Sequence, residues 1–330
     1  MPLDKSKVRK ILIVSLTNIG DVLMTFPVVD ILINDFPQAE ISLIVGPKAK
    51  TLFQNNPYLK AVHVFDKNQN FIKTFLWGIG LRKQNFDLVV DLKNSFMPVA
   101  IAPRYKTALT ATRCAKILKK HQHLKRLRTV YTYARESDRR YALFIPPEDK
   151  TYVQNILKEQ IGENKNFAVI SPGSASPFKR WPKDRYAVLA DELMMRYQLS
   201  VVFVGDGADS KIVEEIMAAM KTKAVNLCGK TTLTQLAQLI DQCTIAIGND
   251  SAAIHMASYL DKPVLTIFGP SDYREYGPWS SNSHFISSRK LLNNGELVQG
   301  DERTTIQSIT TQQVLDAFVI NKGQVIFKKP

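Results

Sequence analysis

Three stretches of this chain hold residues whose types and spacing could do chemistry. In SLTNIGDVLMTFP, Asp21 follows Gly20 where an apolar strand gives way to an amphipathic helical segment, and the glycine would permit an unusual backbone there. An aspartate at that place can cap the helix, and a carboxylate fixed there can also accept a proton; the roles are compatible. In SPGSASPFKRWPKDRY an apolar run ends in a small-residue loop. Gly173 lets the backbone approach a bound group, Ser174 and its neighbouring amides can donate hydrogen bonds, and Lys179 supplies a positive charge, a combination that suits a diphosphate. It is not a Walker loop, because the glycine-lysine-serine ending is missing. In IAIGNDSAAIHMASYL, Gly248 ends another apolar run before Asn249, Asp250 and Ser251. The amides of Ser251, Ala252 and Ala253 would then open a helix where anions are favoured, with Asp250 placed to cap or to grip a sugar hydroxyl. His255, one turn beyond Ser251 on the same face, could reach the same ligand.

Such loops need a scaffold that gathers them. KILIVSL, EISLIVG, AVHVFD and FDLVVDL alternate with segments long enough for crossover helices, and from Phe167 the rhythm restarts with FAVISPG, SVVFVG, AVNLCG, TIAIGND and PVLTIFGP. This spacing implies parallel βαβ units, so the fold class is α/β with two doubly wound parallel sheets. The paired prolines of FIPPEDK mark a boundary near Pro146, which divides the chain into residues 1–150 and 151–330. In open sheets of this kind ligands bind beyond the carboxyl ends of the strands, where all three stretches fall. A last helix should open at Thr310, with Gln313 completing a capping box, and run to about Ile320.

Composition narrows the classes. The 330 residues carry a net charge of +14, of which residues 1–150 contribute 25 Lys and Arg against 12 Asp and Glu. No acidic residue occurs between Lys93 and Arg135, a stretch that includes Arg104, Arg113, Lys120 and Arg126, so an anionic partner is expected on the first half. Three cysteines without a CxxC pair argue against a disulfide framework or a zinc site and for a reducing compartment. No run reaches the roughly 18 apolar residues of a membrane span, and the N-terminus reads as a first strand and not as a leader. The GxGxxG fingerprint of dinucleotide enzymes is absent from the first strand-to-helix turn.

Taken in order, GDVLMTFP, KRWP, NLCGKTTLTQL, GNDSAAIHMA and VLTIFGPSD resemble the heptosyltransferases of lipopolysaccharide core synthesis, glycosyltransferase family 9, over nearly the whole chain. The resemblance implies a GT-B fold, two Rossmann-like domains facing across a cleft, the first for the acceptor and the second for the nucleotide-sugar. It further implies an inverting transfer of heptose from ADP-heptose to a phosphorylated or Kdo-bearing saccharide-lipid, with no metal and no cofactor beyond the ADP-sugar co-substrate. By the same resemblance Asp21 is the catalytic base and Lys179 and Ser174 meet the diphosphate. Asp250, Ser251, Ala252 and His255 match the family's Asp-(Ser/Thr)-Gly-x-x-His segment, and Thr231 lies by the adenine. Ala252 stands where the family has glycine, which bears on the sugar, and near Gly205 only Asp206 and Asp209 are at hand for the ribose. Gly20, Arg104, Arg113, Lys120 and Arg126 are the expected acceptor contacts.

The expected setting is the cytoplasm, peripheral to the inner face of the inner membrane, with FIKTFLWGIGL at 71–81 either dipping into that surface through Phe75 and Trp77 or packing on the sheet. Two alternatives stay open: a GT-B transferase using another nucleotide-sugar, and a non-catalytic basic nucleic-acid-binding protein. The second would bind through charge and weaken steeply with salt. Special residues at three strand ends and a near-neutral second half are features a backbone binder does not need, so no nucleic-acid partner is expected.

Overall fold

The computed structural model describes residues 3–66, 71–109, 116–163, 165–289 and 305–328. The chain divides into two compact units, Met1–Phe144 and Ile145–Pro330. This division lies a few residues before the expected one, because residues 145–150 lead into a helix that belongs to the second unit: Asp149 accepts hydrogen bonds from the Thr234 hydroxyl and the Gln235 amide.

In the first unit the elements are β1 (Lys10–Val14), α1 (Ile19–Leu23), α2 (Phe26–Asp35), β2 (Glu40–Val45), β3 (Ala61–Val64), α3 (Phe71–Leu81), β4 (Leu88–Asp91), α4 (Met97–Ile101), β5 (Tyr105–Lys106) and α5 (Lys119–Leu127). All five strands are parallel, in the order β3-β2-β1-β4-β5. The β-branched and leucine-rich runs of β1 and β4 are buried almost throughout, as expected of strands covered on both faces. Chain order reverses between β1 and β4, so the loops after these strands diverge and leave a crevice at their carboxyl ends.

The second unit contains α6 (Pro147–Ile161), β6 (Phe167–Ser171), α7 (Lys183–Tyr197), β7 (Ser200–Phe203), α8 (Ser210–Ala219), β8 (Val225–Asn226), α9 (Leu233–Gln242), β9 (Ile245–Asn249), α10 (Ala252–Tyr259), β10 (Val264–Phe268), α11 (Tyr273–Tyr276), β11 (Ser283–Ser287), α12 (Thr311–Asp316), β12 (Phe318–Asn321) and β13 (Gln324–Phe327). Its six-stranded parallel sheet runs β11-β10-β9-β6-β7-β8, with the reversal between β6 and β9. Trp181, Tyr186, Phe203 and Phe318 are among the large side chains closed into its core. All nine strands read from the sequence are present. The last helix does open at Thr310 with the Thr310–Gln313 capping box, but it stops at Asp316 and not near Ile320. The β-branched run that follows forms β12, which pairs antiparallel with β13 through a turn holding Lys322 and Gly323 at positive φ.

Candidate functional site

In the first unit the loop leaving β1 is tied down by the hydroxyls of Ser15 and Thr25, 2.9 Å apart, and by Thr25 donating to the Val22 carbonyl. Asn18 is the N-cap of α1, and Asp21 is its third residue, partly exposed, accepting one bond from the Asn18 side-chain amide at 3.0 Å. The sequence placed Asp21 at the cap; the cap is Asn18, and Gly20 is an ordinary helical residue within α1 with no unusual backbone.

Across the reversal, β4 ends in Asp91. Its carboxylate is fully buried and accepts from the Lys93 amide (2.9 Å), the Ser95 amide (2.6 Å) and the Ser95 hydroxyl (3.0 Å). Burial pushes its pKa up, opposed by the Ser95 and Lys93 bonds and by the Arg126 charge. The Arg126 guanidinium donates to the Asp91 carbonyl, to Asn94 Oδ1 at 2.7 Å and to the Ala108 carbonyl at 3.2 Å. Arg126, expected to meet the acceptor, is therefore a strut under the β4 loop. Lys120 is likewise spent: its side chain is 14% exposed and lies 2.9 Å from Glu136. Arg104 remains on the surface over the Tyr105 ring, and Arg113 lies outside the described residues.

Between these loops a cavity of about 130 Å³ is lined by Ser15, Thr17, Phe65, Phe75, Lys93 and Phe96 among others, with the Lys93 ammonium 4.0 Å from the Phe65 ring centre. Phe75 faces this cavity and Trp77 packs on His63 and Phe65, so of the two readings of residues 71–81 these side chains follow the one in which the helix packs within its unit. On α3 it is Leu76, 60% exposed, that meets solvent.

The second unit assembles the other residues. After β6, Ser174 precedes a short 3-10 turn over Pro177–Lys179, which Lys179 ends; Arg180 donates twice to the Ser174 carbonyl, and Ser174 Oγ donates to the Asp250 carbonyl at 3.4 Å. After β9, Ser251 is the N-cap of α10, its hydroxyl 3.2 Å from that of Ser171, and Ala252 begins the helix. Asp250 neither caps nor stands open to a sugar. Its side chain is 7% exposed, and Lys179 donates to Oδ2 at 2.8 Å, Ser271 to the same oxygen at 2.8 Å, and His255 Nε2 to Oδ1 at 3.2 Å. Burial opposes its charge, yet the His255 bond and the Lys179 cation hold its pKa well below the usual carboxylate range. His255 is buried and stacks on Trp279 with centroids 5.7 Å apart, its Nε2 turned to Asp250, and so is not turned outward as the helix spacing suggested.

Gly173 also has a different reason from the one expected. A Cβ there would lie 2.2 Å from the Asp209 carboxylate, so the glycine makes room for Asp209. Asp206 and Asp209 close a capping box at Gly207–Asp209. Thr231 is half-buried just before Thr232, the N-cap of α9.

Sequence reasoning missed Asn249, Ser271, Tyr276 and Trp279. Asn249 is fully buried and joins the two loops, donating to the Pro172 carbonyl and accepting from the Trp181 amide and the Tyr186 hydroxyl. An asparagine closing an apolar strand was the available signal for it. Ser271 gave none, because its partner is 21 residues away.

A family model for glycosyltransferase family 9 (heptosyltransferase) matches residues 77–305. The lipopolysaccharide heptosyltransferase 3 of Escherichia coli strain K12 is 30% identical over 293 residues, covering 80% of this chain and 83% of that one. The chain belongs to glycosyltransferase family 9. It is therefore a glycosyltransferase, and its heptosyltransferase relatives act in lipopolysaccharide biosynthesis. A family 9 glycosyltransferase from Veillonella parvula superposes with a TM-score of 0.77 at 21% identity, covering 93% of this chain and 95% of that one. The Escherichia coli structure named ADP-heptose lps heptosyltransferase II gives 0.72 at 24%, covering 93% and 96%. The fold of this family 9 enzyme is thus the GT-B fold of heptosyltransferases. Every residue of the second unit named for this site lies inside the span 77–305, whereas Asp21 lies before it.

Proposed function

We propose that this family 9 enzyme transfers heptose from ADP-heptose to a lipopolysaccharide-core-type acceptor, by a single inverting displacement that uses no metal. The observation that carries the reading is the convergence, at the reversal between β6 and β9, of Lys179, Ser174 and the N-terminal amides of α10: cation, hydroxyl and helix terminus around one loop pair is the equipment for a diphosphate. The names of the relatives supply the nucleotide and the sugar. Lys179 and these donors would meet the charge that grows on the departing ADP, the task a metal ion performs in other transferases.

Asp21 is the proposed base. It takes the acceptor's hydroxyl proton as the oxygen bonds to the anomeric carbon and the bond from that carbon to ADP breaks. Proton transfer comes late in that step, because the hydroxyl becomes acidic only as the new bond forms. The acceptor belongs to the first unit, whose positive charge favours a phosphorylated saccharide-lipid at the cytoplasmic face of the inner membrane.

The test is a panel of ADP-, UDP- and GDP-sugars scored by thermal shift and by turnover with a heptose-bearing core oligosaccharide, with and without EDTA. ADP-heptose should bind best and turn over equally in chelator. Preference for ADP with a different sugar would overturn the heptose assignment, and the methyl of Ala252 would be the first place to look. Loss of activity in EDTA, restored by magnesium, would overturn the metal-free step.

A further inference from the structure

Asp250 is bonded more heavily than a ligand contact requires. Three donors from three separate elements meet one carboxylate: Lys179 from the loop after β6, Ser271 from the turn after β10, and His255 from within α10. Of these, Lys179 alone carries a fixed positive charge, and its side chain is 34% exposed against 7% for Asp250, with its ammonium 5.9 Å from the Tyr276 ring centre. If a diphosphate recruits Lys179, as the proposed function requires, Asp250 loses its cation while staying buried. An uncompensated buried carboxylate is strongly unfavourable, so whatever bonds remain decide how easily the lysine goes. Those bonds are Ser271 Oγ to Oδ2 and His255 Nε2 to Oδ1. The imidazole is fixed for this by its stack on Trp279, and its Nδ1 has no hydrogen-bond partner among the described residues.

We propose that Ser271 is a positioning residue that, backed by His255, sets how readily Lys179 leaves Asp250 for the donor's diphosphate. With the serine present the carboxylate keeps two donors after the lysine departs. Without it Asp250 depends on Lys179 and holds it, and anion affinity falls although Ser271 itself touches no ligand. This inference rests on the diphosphate reading of the loop.

The experiment is a double-mutant cycle on the full-length protein, with ADP and inorganic pyrophosphate as probes and calorimetric affinity as readout. Ser271→Ala should weaken both by about tenfold, roughly 1.4 kcal/mol, and Ser271→Thr, which keeps the hydroxyl, should restore most of it. In a Lys179→Met background, where no lysine has to be released, adding Ser271→Ala should change affinity by less than about twofold, so that the coupling between the two sites is at least about fivefold, within the range of interacting residues. An equal loss in both backgrounds would overturn the proposal by making Ser271 a ligand contact or a mere packing residue, as would an unchanged affinity in Ser271→Ala alone. Failure of the unaltered protein to bind either probe would instead remove the diphosphate reading, and this inference with it.

Discussion

Two aspartates show how environment divides one side-chain type between two tasks. Asp250 is closed in and meets three donors, whereas Asp21 is partly exposed and accepts one side-chain bond, from Asn18. A carboxylate open to a substrate can take its proton; one buried among its own donors is out of reach. Asp21→Ala should therefore lower turnover by at least about a hundredfold, the usual scale for loss of a general base, while ADP affinity stays within about twofold. Single-turnover kinetics beside calorimetry separates the two quantities. A collapse of ADP affinity would make Asp21 a structural residue.

At the scale of elements, the β4 loop is held from below. Arg126 on α5 reaches the Asp91 carbonyl, Asn94 and Ala108, so α5 orients Lys93, Ser95 and Phe96 at the cavity. Arg126→Ala should cost about 2 kcal/mol in denaturant unfolding, the scale for losing charged hydrogen bonds, and should raise the acceptor KM with donor affinity unchanged. A variant of unaltered stability with only a higher acceptor KM would return Arg126 to the direct role that its position in the basic run implied. The same elements show what a sequence discloses. Strands such as KILIV and IAIGN are legible because burial on both faces demands uninterrupted apolar runs. β5 escapes because its two residues, Tyr105 and Lys106, stand in no apolar run, whereas the equally short β8 lies in AVNLC; β11, SHFIS, escapes because polar residues interrupt it. Helix periodicity carried α12 too far because FVI suits either structure until Gly323 forces a turn. For the site, the loops were legible from glycines and helix starts. The bonds were not: Asp250 to Ser271 and Arg126 to Asp91 join residues that only the folded sheets bring together.

Across the whole molecule the charge is divided as sharply as the chain. Residues 1–144 carry 24 Lys and Arg against 10 Asp and Glu, and residues 145–330 carry 20 of each, so the first unit holds the entire net +14. Exposed charge attracts over a Debye length that shrinks from about 14 Å at 0.05 M salt to about 4 Å at 0.5 M. Over that range the acceptor KM should rise severalfold while the donor KM changes much less, because Lys179 works at short range from a partly buried position. Steady-state kinetics with each substrate varied in turn measures this, and equal shifts in both constants would mean that the charge does not serve the acceptor.

The strand order of the second unit also dictates when its site comes into being. β6 pairs with β7 on one side but must wait for β9 on the other, where Ala168 meets Ile245. During synthesis, a chain that has emerged only as far as α9 has half a sheet, with the edge of β6 bare and neither Asp250 nor Ser271 yet made. Closing that long connection delays the site beyond the local βαβ units. The nucleotide therefore cannot serve as an early template for folding. Until β9 and β10 arrive, α6 to α9 must shield the growing half-sheet from aggregation by their own packing.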